Sequence, residues 1–310
     1  PTRGSTDMAR YLLSRLGQSV LVLFGVSLLI FFSLHLTGDP AAIMMPPGSS
    51  QQEIDTFRHS MGFDQPLLWQ YGQYLGNLLQ GDMGQSLRYD QPVTRLIGER
   101  VPATLLAVTA LGWSTAAGLL LGLVSAVWRN SVWDLLARLL AFSGQAIPVF
   151  WLGLLMILFF SLQLRMLPSS GYGDAAHLIM PAISLGAYYM SAIARLVRAS
   201  LIDVLHQDYI RTAQAKGLSA WRILIRHGLR NALIPVVTVQ GMYFASLLGG
   251  ALVTEIIFAW PGIGRLAVQA IQNRDFPLVQ AIVLLAAVVF VVVNLVIDLL
   301  YVVLNPRIRL

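Results

Sequence analysis

Several residues in this chain are of types that do chemistry, and their settings decide whether they can. Asp90, in Tyr89-Asp90, and Asp174, in Gly171-Tyr-Gly-Asp174, have the sequence setting of an intramembrane carboxylate dyad. Such a dyad needs two carboxylates sharing a proton inside an embedded site. Here both fall in polar stretches, beside Gln91-Pro92 and Ser169-Ser170, so no dyad is expected. The single lysine, Lys216, is followed by Gly217, so no Gly-Lys-Ser/Thr phosphate loop exists. Histidines 35, 59, 177, 206 and 227 are scattered, with no His-Glu-x-x-His, and cysteine is absent; neither a metal site nor a disulfide is expected. Ion-coupled transport would need ionisable groups near a membrane midplane. Asp298 is the only acid well inside an apolar segment, and a structural pair with Arg195 or Arg198 is its expected role. Glu255, at the end of another apolar segment, is expected to cap or pair there. An ion-coupled secondary transporter stays open as an alternative class, with no visible ion pathway.

The elements around these residues are apolar. The 310 residues are 56% hydrophobic and 12% charged, well below the charge content of a soluble domain. Crossing a bilayer takes roughly 20 apolar residues in a helix. Six segments qualify, near 16–36, 101–128, 135–162, 178–196, 232–254 and 279–304. Their periodicity is helical or uniformly apolar, which excludes an alternating barrel and predicts an all-α integral membrane domain. The first segment is too long for a removable signal and reads as an anchor. Gly118-Leu-Leu-Leu-Gly122 presents a small-xxx-small face for close helix approach. Ile147-Pro148 predicts a kink in the third span, and Gly249-Gly250 a weak point in the fifth. The apolar stretch 255–264, broken by Pro261 and two glycines, is expected to dip back or lie at the interface.

The net charge of +6 is distributed by side, which argues for a membrane and against nucleic acid. With six spans both termini share a side, and that side collects 14 of the 21 basic residues. The positive-inside bias then places both termini in the cytoplasm. Residues 37–100 become an extracytoplasmic segment with two helical patterns, at 51–61 and 66–80. The second has a broad apolar face, suited to a membrane surface, a partner or the protein's own spans.

Between spans four and five lies a polar, basic loop, residues 198–231. The stretch 200–215 reads as one helix, with Gly217 in position for a left-handed C-cap and Lys216 at the negative end of the helix dipole. Ser219 is placed to cap a second helix over 220–229. This helix–turn–helix can enter a groove on a soluble partner. Asp208, Tyr209, Arg211, Thr212, Ala213, Ala215, Lys216, Gly217 and Leu218 are the candidate docking residues.

Here the chain resembles a known family. Arg211-Thr-Ala213, three residues, then Gly217 stand in the register of the Glu-Ala-Ala…Gly coupling loop of ABC importer permeases, with arginine in place of the general glutamate. That variant resembles the dipeptide, oligopeptide and nickel branch. The likeness extends through Thr37-Gly-Asp-Pro40, Gly62-Phe-Asp-Gln-Pro66, Gly81-Asp-Met-Gly-Gln-Ser86, Pro102-Ala-Thr104, Arg226–Pro235, Trp260-Pro-Gly-Ile-Gly264, Arg274-Asp-Phe-Pro277, Asp298-Leu-Leu-Tyr301 and Asn305–Arg309. The long segment after span one resembles that of the first, B-type, of two permeases. The resemblance implies a type I-like fold of six transmembrane helices with a cytoplasmic coupling helix between helices four and five, in the bacterial inner membrane. It implies as partners a second homologous permease, two ATPase subunits that bind ATP and magnesium, and an extracytoplasmic substrate-binding protein. No cofactor belongs to this chain, which is a non-catalytic channel subunit. Ser143, Gln145, Ser184, Tyr188, Ser191, Thr238 and Gln240 are the candidate path residues, suited to peptide backbone. Di- or oligopeptides are the expected cargo, with nickel or a metal chelate as the alternative.

Overall fold

A computed structural model describes residues 3–36, 39–46 and 48–304. Among them every regular element is a helix. A long α1 (Arg3–Leu36) leads into α2 (Pro40–Met44), α3 (Gln51–Ser60), α4 (Leu67–Leu79) and α5 (Val93–Gly98). A 3-10 turn at Val101–Thr104 opens α6 (Leu105–Val127), followed by α7 (Val132–Ala146) and α8 (Val149–Met156), which continues as a π-helical stretch, Ile157–Gln163. Next come α9 (Ala175–Leu205), α10 (Asp208–Ala215) and α11 (Ala220–Arg222), the last running through a π-helical stretch, Ile223–Leu229, into α12 (Arg230–Ala232). The chain ends with α13 (Ile234–Gly250), α14 (Leu252–Ile257), α15 (Ile263–Gln272) and α16 (Phe276–Leu304).

Four stretches are long and apolar enough to cross a membrane: Leu13–Ser33, Val93–Val127, Ala175–Leu205 and Phe276–Val296. The fifth predicted span, α13, is a 17-residue apolar helix that ends at Gly250, where the glycine pair was expected to weaken it. The third is a pair of helices. Where a kink was expected at Ile147-Pro148, the helix breaks and turns by 104°. The cause is local: proline pushes the preceding residue out of the helical region, and Ile147 sits at ψ 121°.

The described residues form two compact units, one from 3–102 and 263–295, the other from 103–262 and 296–304. In the first, α4 lays Tyr71 and Tyr74 on α1, where Phe31 meets both rings at 5.3 and 5.8 Å. The Tyr71 hydroxyl and Ser27 Oγ share a hydrogen bond of 2.9 Å. Burial pushes the Tyr74 phenol up to about 12. Leu68, Trp69 and Leu79 on the opposite side of α4 are exposed. The 51–61 pattern is realised as α3, started by a capping box of Ser50 and Glu53. Nearby, Arg58 bonds Asp39 at 2.6 Å and also holds Asp55. The α5, α15 and α16 helices share a core of Val93, Leu96, Ile97, Leu266, Ala270 and Leu278.

In the second unit α6 and α9 form the central pair. Ala107, Ala110, Ser114, Gly118, Gly122 and Ser125 make a buried stripe of small residues along α6. A Cβ at Gly122 would fall 2.6 Å from Val197 Cβ and 2.7 Å from the Ala194 carbonyl. The small-xxx-small face thus serves packing within the chain. Such contact substitutes for the hydrophobic drive that lipid-embedded helices lack.

Candidate functional site

The loop between α9 and α13 is built around one turn. The structure corrects the single helix expected over 200–215: α9 stops at Leu205, His206 and Gln207 break the path, and α10 starts afresh at Asp208. Gln207 is extended, at φ −73° and ψ 150°, which redirects the chain. At the other end Gly217 has φ +75°. Its N–H donates to the Gln214 carbonyl at 2.9 Å, and the Leu218 N–H to the Ala213 carbonyl at 3.3 Å. This is the Schellman closure, in which a left-handed residue after the helix satisfies carbonyls of the last turn. Leu218 completes it by packing on the buried cluster of Ile210, Ala213 and Ile223.

A second tie spans the turn. Asn231 Nδ2 donates to the Tyr209 hydroxyl at 2.9 Å and to the His227 carbonyl at 3.0 Å. Gly228 brings the returning helix against the end of α9, where an added Cβ would lie 3.2 Å from Leu201 Cδ1. Ser219 stands at the N-cap as expected, but its side chain makes no capping bond. The helix that follows is π-helical from Ile223, not a uniform 220–229 α-helix.

The candidate docking residues divide by burial. Asp208, Tyr209, Arg211, Thr212, Ala215, Lys216 and Gly217 are exposed, Leu218 is half-buried, and Ala213 is buried inside the turn. Asp208 and Arg211 pair on the outer face at 3.5 Å. Ile210 and Ile223, which hold the turn together, were not singled out in the sequence; their signal was an apolar residue three before Ala213 and another ten after it.

The seven candidate path residues do not converge. Ser184 and Ser191 are fully buried, with hydroxyls given to the carbonyls of Pro181 and Ala141. They pack helices. Ser143 and Gln145 are exposed on α7. Thr238 is half-buried and bonds back to Ile234 O at 3.3 Å. Gln240 donates to Thr115 Oγ1 at 2.6 Å while its own amide oxygen is buried without a partner. Tyr188 borders a cavity of about 250 Å³ with Tyr189 and Thr254, whose buried hydroxyl also lacks a partner.

Two buried carboxylates escaped the sequence reading. Asp134, at the start of α7, takes hydrogen bonds from Ser125, from the Asn130 N–H at 3.0 Å and from Arg198 Nε at 3.3 Å. Arg198 therefore has Asp134 as a partner; the side chain of Asp298, its expected one, lies outside the described residues. Asp275 binds Ser86 and receives the Leu87 N–H at 3.3 Å, joining the motif at 81–86 to that at 274–277. Glu255 is buried against Gly262, where an added Cβ would collide with its carboxylate. The break expected over 255–264 is present, and Trp260 anchors it through a 3.0 Å bond to the Ala103 carbonyl. His59 and His177 each bond a neighbouring carboxylate, Asp64 at 2.9 Å and Asp174 at 2.8 Å. The His177 bond holds the Asp174 carboxyl below its ordinary range. Among the described residues no three His, Cys, Asp or Glu side chains gather as a metal site would need.

The family model of the "binding-protein-dependent transport system inner membrane component" matches residues 118–310, and that of its N-terminal companion matches residues 8–108. The chain belongs to the ABC importer permeases of the peptide and nickel type. This permease is 44% identical over 304 residues to the glutathione transport system permease protein GsiC of Escherichia coli K12 and of Shigella dysenteriae serotype 1, covering 97% of its own length and 99% of theirs. Its fold matches a chain of the inward-facing MetNI methionine ABC transporter with a TM-score of 0.58 at 19% identity, over 68% of this chain and 97% of that one. A histidine-bound amino acid ABC transporter matches with 0.54 at 16% identity, over 67% and 94%. The permease is thus a multi-pass inner-membrane protein of all-α, type I-like fold, and its family works as the membrane component of ATP-driven import.

Proposed function

We propose that this chain forms one half of the translocation path for small peptides, driven through the turn at residues 208–218. An ATPase subunit seats the exposed face of α10, Tyr209, Arg211, Thr212 and Ala215, in a surface groove, with Lys216 at the rim. A second permease completes the path, a second ATPase docks on that permease, and an extracytoplasmic binding protein supplies the cargo. Both termini face the cytoplasm, on the side of the basic loop. ATP binding draws the two docked turns together and rocks the helices attached to them.

One observation supports this reading above the others. The turn is closed by its own backbone and a small core, and tied again through Tyr209 and Asn231. A segment so braced transmits a push to α9, whereas a glycine- and serine-rich loop would absorb it. Peptide cargo is supported by the relatives named for glutathione transport, glutathione being a tripeptide. Nickel or a metal chelate has less support, because His59 and His177 bond local carboxylates.

The test is co-purification of the ATPases with the permease pair. Ala215→Glu and Thr212→Arg change only exposed positions and should leave the permease pair intact while releasing the ATPases and abolishing uptake. Normal ATPase retention and uptake in both variants would remove the turn from the coupling role. Binding of glutathione, short peptides and nickel to the purified binding protein would then fix the cargo class.

A further inference from the structure

At the end of the second unit that carries the basic loop, α6, α7 and α9 line a half-open cavity of about 480 Å³. Three guanidiniums line it: Arg138, about two turns into α7, and Arg195 and Arg198, about two to three turns before the end of α9. The described carboxylate facing them is Asp134, fully buried and already bound by Ser125, Asn130, Arg138 and Arg198. Among the described residues Arg195 has a 3.5 Å contact with Ser191 Oγ and no carboxylate of its own. Among the described residues the cavity therefore carries more positive charge than its carboxylate neutralises. Cationic side chains at this depth face a polar space or a counter-ion, because hydrocarbon solvates them badly.

The other wall of the cavity is apolar and open. Leu135, Leu139 and Phe142 on α7 are 49%, 56% and 66% exposed. Trp128 and Trp133, both more than half exposed, flank the start of α7 and suit the level of a membrane–water interface. Arginines reach that level along their own length. A free inorganic anion would answer the guanidiniums but leave the apolar wall bare. A zwitterionic headgroup would bring a positive charge of its own.

We propose that this cavity holds the phosphate of an anionic phospholipid, with an acyl chain lying on Leu139 and Phe142. Guanidinium forks match phosphate oxygens in charge and geometry, and basic pockets between spans on the cytoplasmic side take such headgroups. The lipid joins α7 to α9 beside the break at Ile147-Pro148, where α7 has lost the support of a continuous helix. The proposal is independent of cargo and of the ATPase contact.

The experiment uses the assembled transporter, delipidated in detergent, with added phosphatidylglycerol, phosphatidylcholine or inorganic phosphate. Retained lipid is counted by native mass spectrometry and stability followed by thermal unfolding. Phosphatidylglycerol should be retained and raise the unfolding temperature, phosphatidylcholine and inorganic phosphate should not. Arg195→Gln should weaken phosphatidylglycerol retention about tenfold, the loss of one charge-assisted contact, and Arg195→Lys, which keeps the charge but not the fork, should recover part of it. Equal retention of the two lipids by the unaltered protein would overturn the proposal without recourse to any variant. So would an equal shift from inorganic phosphate. Unchanged lipid retention in Arg195→Gln, with loss of the second permease, would assign the cavity to a protein interface instead.

Discussion

The turn at residues 208–218 and the junction at Asp275 are both assembled from short motifs, but they are closed over very different distances along the chain. In the turn, the Leu218 N–H reaches back five residues to Ala213, and the core of Ile210, Ala213 and Ile223 lies within fourteen. At the junction, Ser86 meets a carboxylate 189 residues away. The first is a local structure whose strength resides in backbone geometry and a few methyl groups. The second depends on one buried charge whose partners arrive only when the rest of its unit has folded. Local closure suits a part that must keep its shape while being pushed. Long-range closure suits a part that holds distant segments in register.

The largest expected effect breaks the junction. Asp275 is fully buried and receives Ser86 and the N–H groups of Leu87 and Leu278. Asp275→Ala strands those donors, and each unsatisfied buried group is costly, so a loss of about 3–4 kcal/mol is expected. Thermal unfolding of the purified complex reads it; Ser86→Ala, which removes one partner, should lose less than half as much. Equal losses would mean that packing rather than the carboxylate holds the junction.

Next comes Ala213→Glu. Ala213 is 7% exposed against Ile210 and Ile223, so the substituted carboxylate enters the core of the turn. A cost of about 2–3 kcal/mol to the turn is expected, seen as faster hydrogen exchange over 208–231 even without ATPase. Unchanged exchange with lost ATPase binding would place Ala213 at the contact surface. Gly217→Val is milder. Holding a β-branched residue at φ +75° costs about 1–2 kcal/mol, and exchange should rise at residues 213–218 first. Tyr209→Phe, which removes one hydroxyl between His227 and Asn231, should cost about 1 kcal/mol. If it does as much damage as Gly217→Val, the tie across the turn matters as much as its closure.

What the sequence disclosed follows the same division. Gly217 as a left-handed cap, α3, α4 and the break around Pro261 were legible because each depends on residues within a few positions. The apolar spans were legible because lipid demands length and composition before anything else. The end of α9 at Leu205 was not, since residues 200–215 carry no proline or glycine and extended geometry at Gln207 leaves no compositional mark. Pro148 announced a disturbance but not its 104° size. Ser184 and Ser191 looked like lining because polarity in a span suggests a path; their hydroxyls are instead absorbed by neighbouring carbonyls. Asp134 and Asp275 were passed over because each lies at a helix end, where an acid ordinarily faces water.

The smallest expected effect sharpens the comparison in the segment between α1 and α4. Asp39 starts α2 by accepting the Ala41 N–H at 3.2 Å, and the hydrogen bond from Arg58 holds its carboxyl below the usual range. A carboxyl depressed in the folded state adds stability above its unfolded pKa, near 3.8, and that stability disappears as pH falls through the folded value. Between neutral pH and about pH 5 nothing should change at this site. Below about pH 4, hydrogen-exchange protection of α2 and α3 should decline, and it should decline less steeply in Arg58→Gln, where the starting protection is already lower. The pair is partly exposed, so the effect should be smaller than that of any of the five substitutions above and should shrink further at high salt. Loss of protection already at pH 6 would assign control of this segment to a histidine. Protection that persists in acid, with Arg58→Gln behaving like the unaltered protein, would mean that the capping box of α3 suffices and that the Asp39–Arg58 pair contributes shape without measurable stability.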